Sequence, residues 1–374
     1  MSKAAELANL IGNINAGGGG VNRNLLINSD FAVAQRGTSS TAVDADGYYT
    51  CDRWKYIDES TGGQVTLTQD SSVPTGSGLS KSFKVDCTTA DTSVAADHSI
   101  RVQQRIEGQN LQGVAKGTSD AKPLVCSFYV KSNLTGQFNM YLEDTDNSRA
   151  IAGTYSISSA DTWEYKTVRF PADTTGAFTN DANMSLVLHF FLAGGTNFTS
   201  GTIASAWQSK TLANLGVGMS NNILSSTSND WAMAGVQLEV GQNPTSFEHE
   251  PFERTLQSCR RYYHKIDSSD SIYQRLGQGQ AYSNDDAVLF FHHVPEMRGI
   301  PTLDHGTLSD LAVGLSGLSA KSMGSLTIDT NTDGANTTCL IAGDVADDGL
   351  SAGNVVQIFS NNNTNGYIAF KAEL

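Results

Sequence analysis

Charge is scarce in this chain: Asp, Glu, Lys and Arg make up 17% of 374 residues, and hydrophobic residues reach only 39%. Both shares lie below those of an ordinary globular protein. Gly, Ser, Thr, Asn and Asp fill the difference, a composition that favours short strands and turns over long charged helices. The fold class expected is all-β. Basic residues are the scarcer sign, 24 Lys and Arg against 38 Asp and Glu, for a formal net charge of −14. No basic stripe offsets that balance, and phosphate contacts need clustered Lys and Arg, so nucleic acid is not an expected partner.

Long apolar runs are missing too. Nothing approaches the roughly 18 apolar residues of a membrane span, so no membrane insertion is expected. The opening MSKAAELANLIG lacks the basic head and unbroken apolar stretch of a signal peptide, so the chain is expected to stay in the cytoplasm of the cell that makes it until lysis. The five cysteines (Cys51, Cys87, Cys126, Cys259, Cys339) are widely scattered, with no CxxC pair. That odd count and spacing point to buried, reduced thiols rather than a disulfide framework or a zinc site.

Signatures of catalysis are absent as well. No HExxH, GxSxG or P-loop occurs. Among seven histidines only His292 and His293 are adjacent, and neighbours on a strand point to opposite faces. Gly194-Gly195 and Gly277 to Gly279 read as turns. The close carboxylates Asp144 and Asp146, Asp285 and Asp286, and Asp347 and Asp348 fall in turn-like contexts, where Asp bonds its own backbone. No catalytic residue and no cofactor is therefore expected.

What is present is punctuated β-sequence. A chain this long exceeds one growing core, so two or more modules are expected. Ser2 can cap a short helix whose Leu7, Leu10, Ile11 and Ile14 share one face. Gly17 to Gly20 end it in a flexible joint. Two readings stand for residues 1–20: a docking peptide on a glycine hinge, or an ordinary chain end. From Val21 to Glu250 short strands alternate with turns. They include Asn24 to Ile27, Asp52 to Tyr56, Gln64 to Gln69, Lys81 to Val85, Leu124 to Lys131, Phe138 to Glu143, Trp163 to Phe170, Met184 to Leu192 and Trp231 to Val240. That spacing indicates a sandwich or jelly roll. Phe252, Leu256, Cys259 and Tyr263 make one helical face in a connecting segment, 251–265. It either caps the sandwich or forms a three-stranded bundle. A smaller β module, 266–374, follows, with Ser360 to Gly366 as a hairpin-type turn before the last strand.

Several segments together resemble a family of bacteriophage virion fibre and tail fibre proteins with a carbohydrate-binding-module-like jelly roll. They are SKAAELANLIG, NRNLLINSDFAVAQRGTS with YYTCDRWKY, IEGQNLQGVAKGTSDAKPLVCSFYVKS, DTWEYKTVRFPADTTG, GVQLEVGQNPTSFEHEPFERTLQSCRRYYHK and the ending GYIAFKAEL. The resemblance implies a virion structural protein, a homotrimer, held to other virion proteins through the N-terminal helix and attached to host surface polysaccharide by multivalent binding. A head-decoration or tail-architecture protein without glycan binding is the alternative. NLLINSDF and VQLEVG also resemble the carbohydrate-binding jelly rolls appended to polysaccharidases, which often hold a structural calcium ion. Asp30 and Glu239 are its candidate ligands, although Gly235 stands where an Asp commonly precedes the last strand's apolar run. For stacking on sugar rings, Tyr48 and Tyr49 in a Gly-bordered loop and Trp207 between Gly194 and Gly218 are the candidates. Tyr56 and Tyr141 are further aromatic candidates, and Trp54, in an alternating strand, reads as core.

Overall fold

The computed structural model describes residue 3 and residues 22–314, 320–330, 334–346 and 350–374. The docking candidates Leu7, Leu10, Ile11 and Ile14, and the pair Asp347 and Asp348, lie outside the described residues. The chain is all-β and divides into two units, one running to Thr255 and one spanning Leu256–Glu373. All five cysteine side chains are buried and none forms a disulfide.

The first unit carries β1 (Ser39–Val43), β2 (Lys55–Glu59), β3 (Gln64–Asp70), β4 (Ser82–Thr89), β5 (Ser99–Glu107) and β6 (Leu124–Ser132). There follow β7 (Gly136–Asp144), β8 (Arg149–Ile157), β9 (Glu164–Phe170), β10 (Met184–Gly194), β11 (Gln208–Ser209) and β12 (Asp230–Val240). They form two six-stranded sheets, β1-β3-β4-β12-β6-β9 and β11-β8-β7-β10-β5-β2. The chain crosses between the sheets after β1, β2, β4, β5, β6, β8, β9 and β11, which makes a jelly-roll sandwich. Alternation explains the simplest strands: in β3 Val65 and Leu67 are buried while Thr66 and Thr68 are not. Between the sheets Phe128 meets Tyr155 and Phe190 edge-on at 5.1 and 5.0 Å, within the range favoured by aromatic pairs. Trp54, as expected, lies in this core at 1% exposure.

Two expectations for this unit change. Asn24 to Ile27 is not a ladder strand. Leu25 N–H donates to Leu238 O at 2.8 Å, but the Asn24 side chain takes over beside it, accepting from Leu238 N–H at 3.0 Å and donating to Val236 O at 3.0 Å. The partner strand is irregular there, with a register shift between Ala234 and Gln237. Gly235 sits in that bulge at φ +56°, a left-handed conformation in which glycine is not penalised. Asp52 to Trp54 also stays out of β2, because Arg53 adopts φ +72° and turns the chain before Lys55.

The second unit holds β13 (Tyr263–Asp267), β14 (Arg275–Ala281), β15 (Ala287–His292), β16 (Thr302–His305), β17 (Leu311–Gly314), β18 (Ser325–Ile328), β19 (Thr337–Gly343), β20 (Val355–Ser360) and β21 (Tyr367–Lys371). Its sheets are β13-β21-β16 and β17-β20-β14-β15-β19-β18, around a core that includes Leu289, Leu340, Ile358 and Phe370. Three corrections follow. Because β20 and β21 belong to different sheets, the Ser360 to Gly366 turn joins sheets and is no hairpin. Gly277 to Gly279 is the middle of β14 rather than a turn. A Cβ on Gly279 would lie 1.7 Å from Val288 O, and one on Gly277 would lie 2.6 Å from the Phe291 ring. The glycines are there for close approach. The connecting helix spans Phe252–Arg260, so Tyr263 opens β13 instead of completing a helical face.

Candidate ligand-binding groove

One face of the β11-β8-β7-β10-β5-β2 sheet packs into the core. The other is polar yet buried. In β5, Ile100, Val102 and Ile106 point inward, while Arg101, Gln103 and Arg105 alternate with them on the outer face. Register places Gln103 opposite Lys55 of β2 and His189 of β10, His189 opposite Tyr141 of β7, and Tyr141 opposite Ala152 of β8. One row of side chains thus crosses five strands. Beside it lie Arg101 with Ile57 and Phe191 on one flank, and Arg105 with Val187 and Glu143 on the other. Of these, Gln103, His189, Tyr141, Arg101, Ile57, Arg105, Val187 and Glu143, together with Glu59, Lys210 and Leu212, line a groove of about 240 Å³.

Its floor is held in one arrangement. The Tyr141 and His189 rings stack at 4.0 Å and 7°. Arg101 donates Nη1 to Tyr141 Oη at 3.1 Å and Nη2 to Glu59 Oε1. Its guanidinium lies 5.6 Å from the Phe191 ring and 5.7 Å from Phe198, distances at which a ring quadrupole attracts a cation. Ser99 Oγ donates to the second Glu59 oxygen at 2.7 Å. With its amide oriented to satisfy both neighbours, Gln103 donates to His189 Nδ1 at 3.0 Å and accepts from Arg105 Nε at 2.8 Å. That places the His189 proton on Nε2, which faces Glu143 Oε2 at 3.5 Å.

Charge follows from these contacts. Burial holds the His189 imidazole down to about 3, against the pull of Glu143, so the ring is neutral near pH 7. Burial opposes the Glu143 carboxylate too, but the facing His189 and Lys210 outweigh it and hold its pKa at about 2. Since the imidazole stays neutral, the positive charge at Glu143 is that of Lys210, whose Nζ donates at 2.7 Å. Burial raises the Tyr141 hydroxyl above its usual range. The groove therefore presents fixed donors and an ionised acceptor on a desolvated floor, without an exposed aromatic ring.

Of the aromatic candidates, only Tyr141 reaches this site, as a fully buried part of the floor. Trp207 does not project. It is 8% exposed, its Nε1 donates to Pro171 O at 2.9 Å, and its ring lies 5.5 Å from Lys116 Nζ. Tyr48 lies under the Arg36 guanidinium at 5.4 Å, and Tyr49 donates to Ala45 O at 2.9 Å while packing on the core. Neither lines the groove. Tyr56 is buried in the core. Of the carboxylates read as turn residues, Asp285 accepts locally from Ser283 Oγ at 2.6 Å, but Asp146 accepts from the distant Thr179 N–H at 2.8 Å. Asp144 ends β7 as the buried partner of Lys116, as well as of Asn147 N–H in its own turn.

The calcium candidates do not converge. Glu239 accepts from Gln237 Nε2 at 2.9 Å and from Thr245 N–H and Oγ1 at 2.7 and 2.8 Å. Asp30 accepts from Ala32 N–H at 3.3 Å, and burial raises its pKa. The two share no partner. Among the described residues no group of three or more His, Cys, Asp or Glu is placed to hold a metal ion, and a hard cation needs about six oxygens. Asp30 and Glu239 therefore do not fit a shared calcium site.

No family model and no curated protein matches this sequence. Solved structures do. The enzymatically active domain of tailspike protein 4 of bacteriophage CBA120 is 11% identical, with 59% of this chain covering 22% of that one at a TM-score of 0.31. The family 11 carbohydrate-binding module of a Clostridium thermocellum cellulosomal cellulase is 12% identical, over 55% of this chain and 96% of that one, at a TM-score of 0.28. A family 61 module in complex with β-1,4-galactotriose is 10% identical, over 59% and 99%, at 0.27. This chain spans about a fifth of the tailspike domain's length, and no residue role is taken from any of the three.

Proposed function

We propose that the first unit is a non-catalytic glycan-binding module and that the chain is a fibre or spike of a bacteriophage particle. The observation that carries the binding role is the outer-face row Gln103, His189 and Tyr141, flanked by Arg101, Arg105 and Glu143. Burying so many polar groups on a sheet face costs stability unless each is paired. Here most of them are paired with one another, while His189 Nε2 and Arg101 Nε are buried without a hydrogen-bond partner, so fixed donors stand beside a fixed acceptor, the geometry that hydroxyl-rich ligands meet best. Hydrolysis fits poorly. A glycosidase needs one carboxyl raised to act as an acid, whereas Glu143 is pushed down to about 2 and Glu59 is engaged by Arg101 and Ser99.

The particle role rests on the resemblance of the sequence segments. In that reading residues 1–20 dock on other virion proteins, a homotrimer displays several grooves, and weak single-site affinities combine into firm capture of host polysaccharide.

The test is a glycan array probed with the full chain and with Glu143→Gln. The wild type is expected to retain at least one glycan. The variant, still folded by circular dichroism, is expected to bind that glycan about tenfold more weakly, the cost of one charge-assisted hydrogen bond. A wild-type chain that retains no glycan would remove the binding role. A steady release of reducing ends from the bound glycan would replace the non-catalytic reading.

A further inference from the structure

Behind one end of the groove a buried lysine sits in a cage of oxygens. Lys116 has its side chain 2% exposed, and its Nζ donates to Asp144 Oδ2 at 2.5 Å, to Thr175 O at 2.8 Å and to Gly176 O at 2.8 Å. It lies 3.1 Å from Asp173 Oδ2, with Phe178 and Trp207 rings 5.3 and 5.5 Å away. Two carboxylates and two carbonyls facing one buried cation are oxygen donors of the kind a hard metal takes, about four of the six it needs, and here an ammonium fills their centre. The backbone is shaped to bring them in: Ala115 and Gly117 flank the lysine at φ +53° and +80°, and a Cβ on Gly117 would lie 2.4 Å from Ala177 N.

The cage reaches the groove. Asp173 also accepts from Arg149 Nε at 2.8 Å, and Arg149 Nη2 donates to Trp207 O at 2.9 Å. That carbonyl leads into β11, which pairs with β8 through Ser209 and Arg149. Lys210 N–H then donates to Ser148 O at 2.8 Å, and Lys210 Nζ holds Glu143 in the groove. Asp144 itself is the neighbour of Glu143.

We propose that Lys116 is a resident cation that positions the Lys210-bearing wall of the groove, and that the same oxygen cage, emptied of its ammonium, takes Ca2+. The effect on glycan affinity rests on the groove reading; the exchange of cations does not.

The experiment uses the full chain as wild type, Lys116→Ser and Lys116→Gln, the last keeping an amide donor in the cage as a metal-blind control. Without Ca2+, Lys116→Ser is expected to melt well below wild type. Millimolar Ca2+ should restore several degrees, as for any ligand held only by the folded state, and leave wild type and Lys116→Gln unmoved. Tb3+ in the emptied cage would lie beside Trp207, so excitation of that indole should give Lys116→Ser luminescence that excess Ca2+ extinguishes and that Lys116→Ser with Trp207→Phe lacks. The proposal is overturned if Lys116→Ser gains neither melting temperature with Ca2+ nor luminescence with Tb3+. It is also overturned if Lys116→Gln folds while Lys116→Ser stays unfolded in Ca2+. If Ca2+ rescues the fold and no form binds a glycan, the cage stands and the groove reading fails.

Discussion

Replacing Asp144 by alanine is expected to lower the melting temperature of the first unit by about 10 °C, and to do so without touching the sandwich core. Asp144 is fully buried. It accepts from Lys116 Nζ at 2.5 Å, from Asn147 N–H at 3.1 Å and from Asn147 Nδ2 at 3.0 Å. Its loss strands a buried ammonium, and breaking such a pair from one side costs about 3–5 kcal/mol. For a domain of this size each kcal/mol shifts the midpoint by about 2–4 °C. Asp146, two residues on, is exposed and accepts one backbone bond from Thr179, so Asp146→Ala should move the midpoint by only about 2 °C. Calorimetry on both variants checks the contrast. Equal, small shifts would mean that the buried Lys116–Asp144 pair does not hold the fold together as described.

Acid is expected to weaken the second unit between about pH 6.5 and pH 4. His264 and His293 approach at 3.4 Å between their Nδ1 atoms, and His293 Nε2 bonds Thr338 Oγ1 at 2.9 Å beneath the Phe370 ring at 4.6 Å. Burial, then Arg260 and the partner ring, push His264 down to about 4. Burial and His292 push His293 down to about 4. Both folded values lie below the unfolded value near 6.5. The unfolded chain therefore takes up protons first as pH falls, and stability present above about 6.5 is lost progressively down to about 4. Together the pair should cost about 3 kcal/mol after allowance for solvent screening. His189, held down to about 3, adds the same trend to the first unit. Hydrogen exchange separates the two: peptides from β15 and β19 should lose protection in that window, and His293→Gln should flatten the loss. Unchanged protection from pH 7 to pH 4 would rule out a strained histidine pair.

The sequence was most legible where one face of a strand is apolar and the other wet. β3, with Val65 and Leu67 set between threonines, could be read directly. The long central strands β10 and β12 were visible as apolar runs, because both of their faces are covered. β5 is masked in the sequence, although Ser99–Glu107 alternates Ile100, Val102 and Ile106 with Arg101, Gln103 and Arg105. Arg and Gln suggest solvent, and only their partners on β2, β7 and β10 show that this polar face is covered. The groove was illegible for the same reason, since its row joins residues that the chain separates widely and register alone brings together. Trp207 misled in the opposite direction. A tryptophan among turns suggests a projecting ring, but its burial depends on Lys116 and Pro171, which arrive from distant loops. The glycines of β14 looked like turns because a sequence cannot show the Val288 carbonyl pressed against Gly279.

The central claim is that glycan is held on the outer face of β5, β10 and β7. Hydrogen–deuterium exchange on the full chain tests it directly, with and without the oligosaccharide bound most tightly on the array. The account predicts slowed exchange in peptides covering 99–107, 139–145 and 184–193. Slowing confined to the Tyr48 and Tyr49 loop, or to peptides of the second unit, would contradict it.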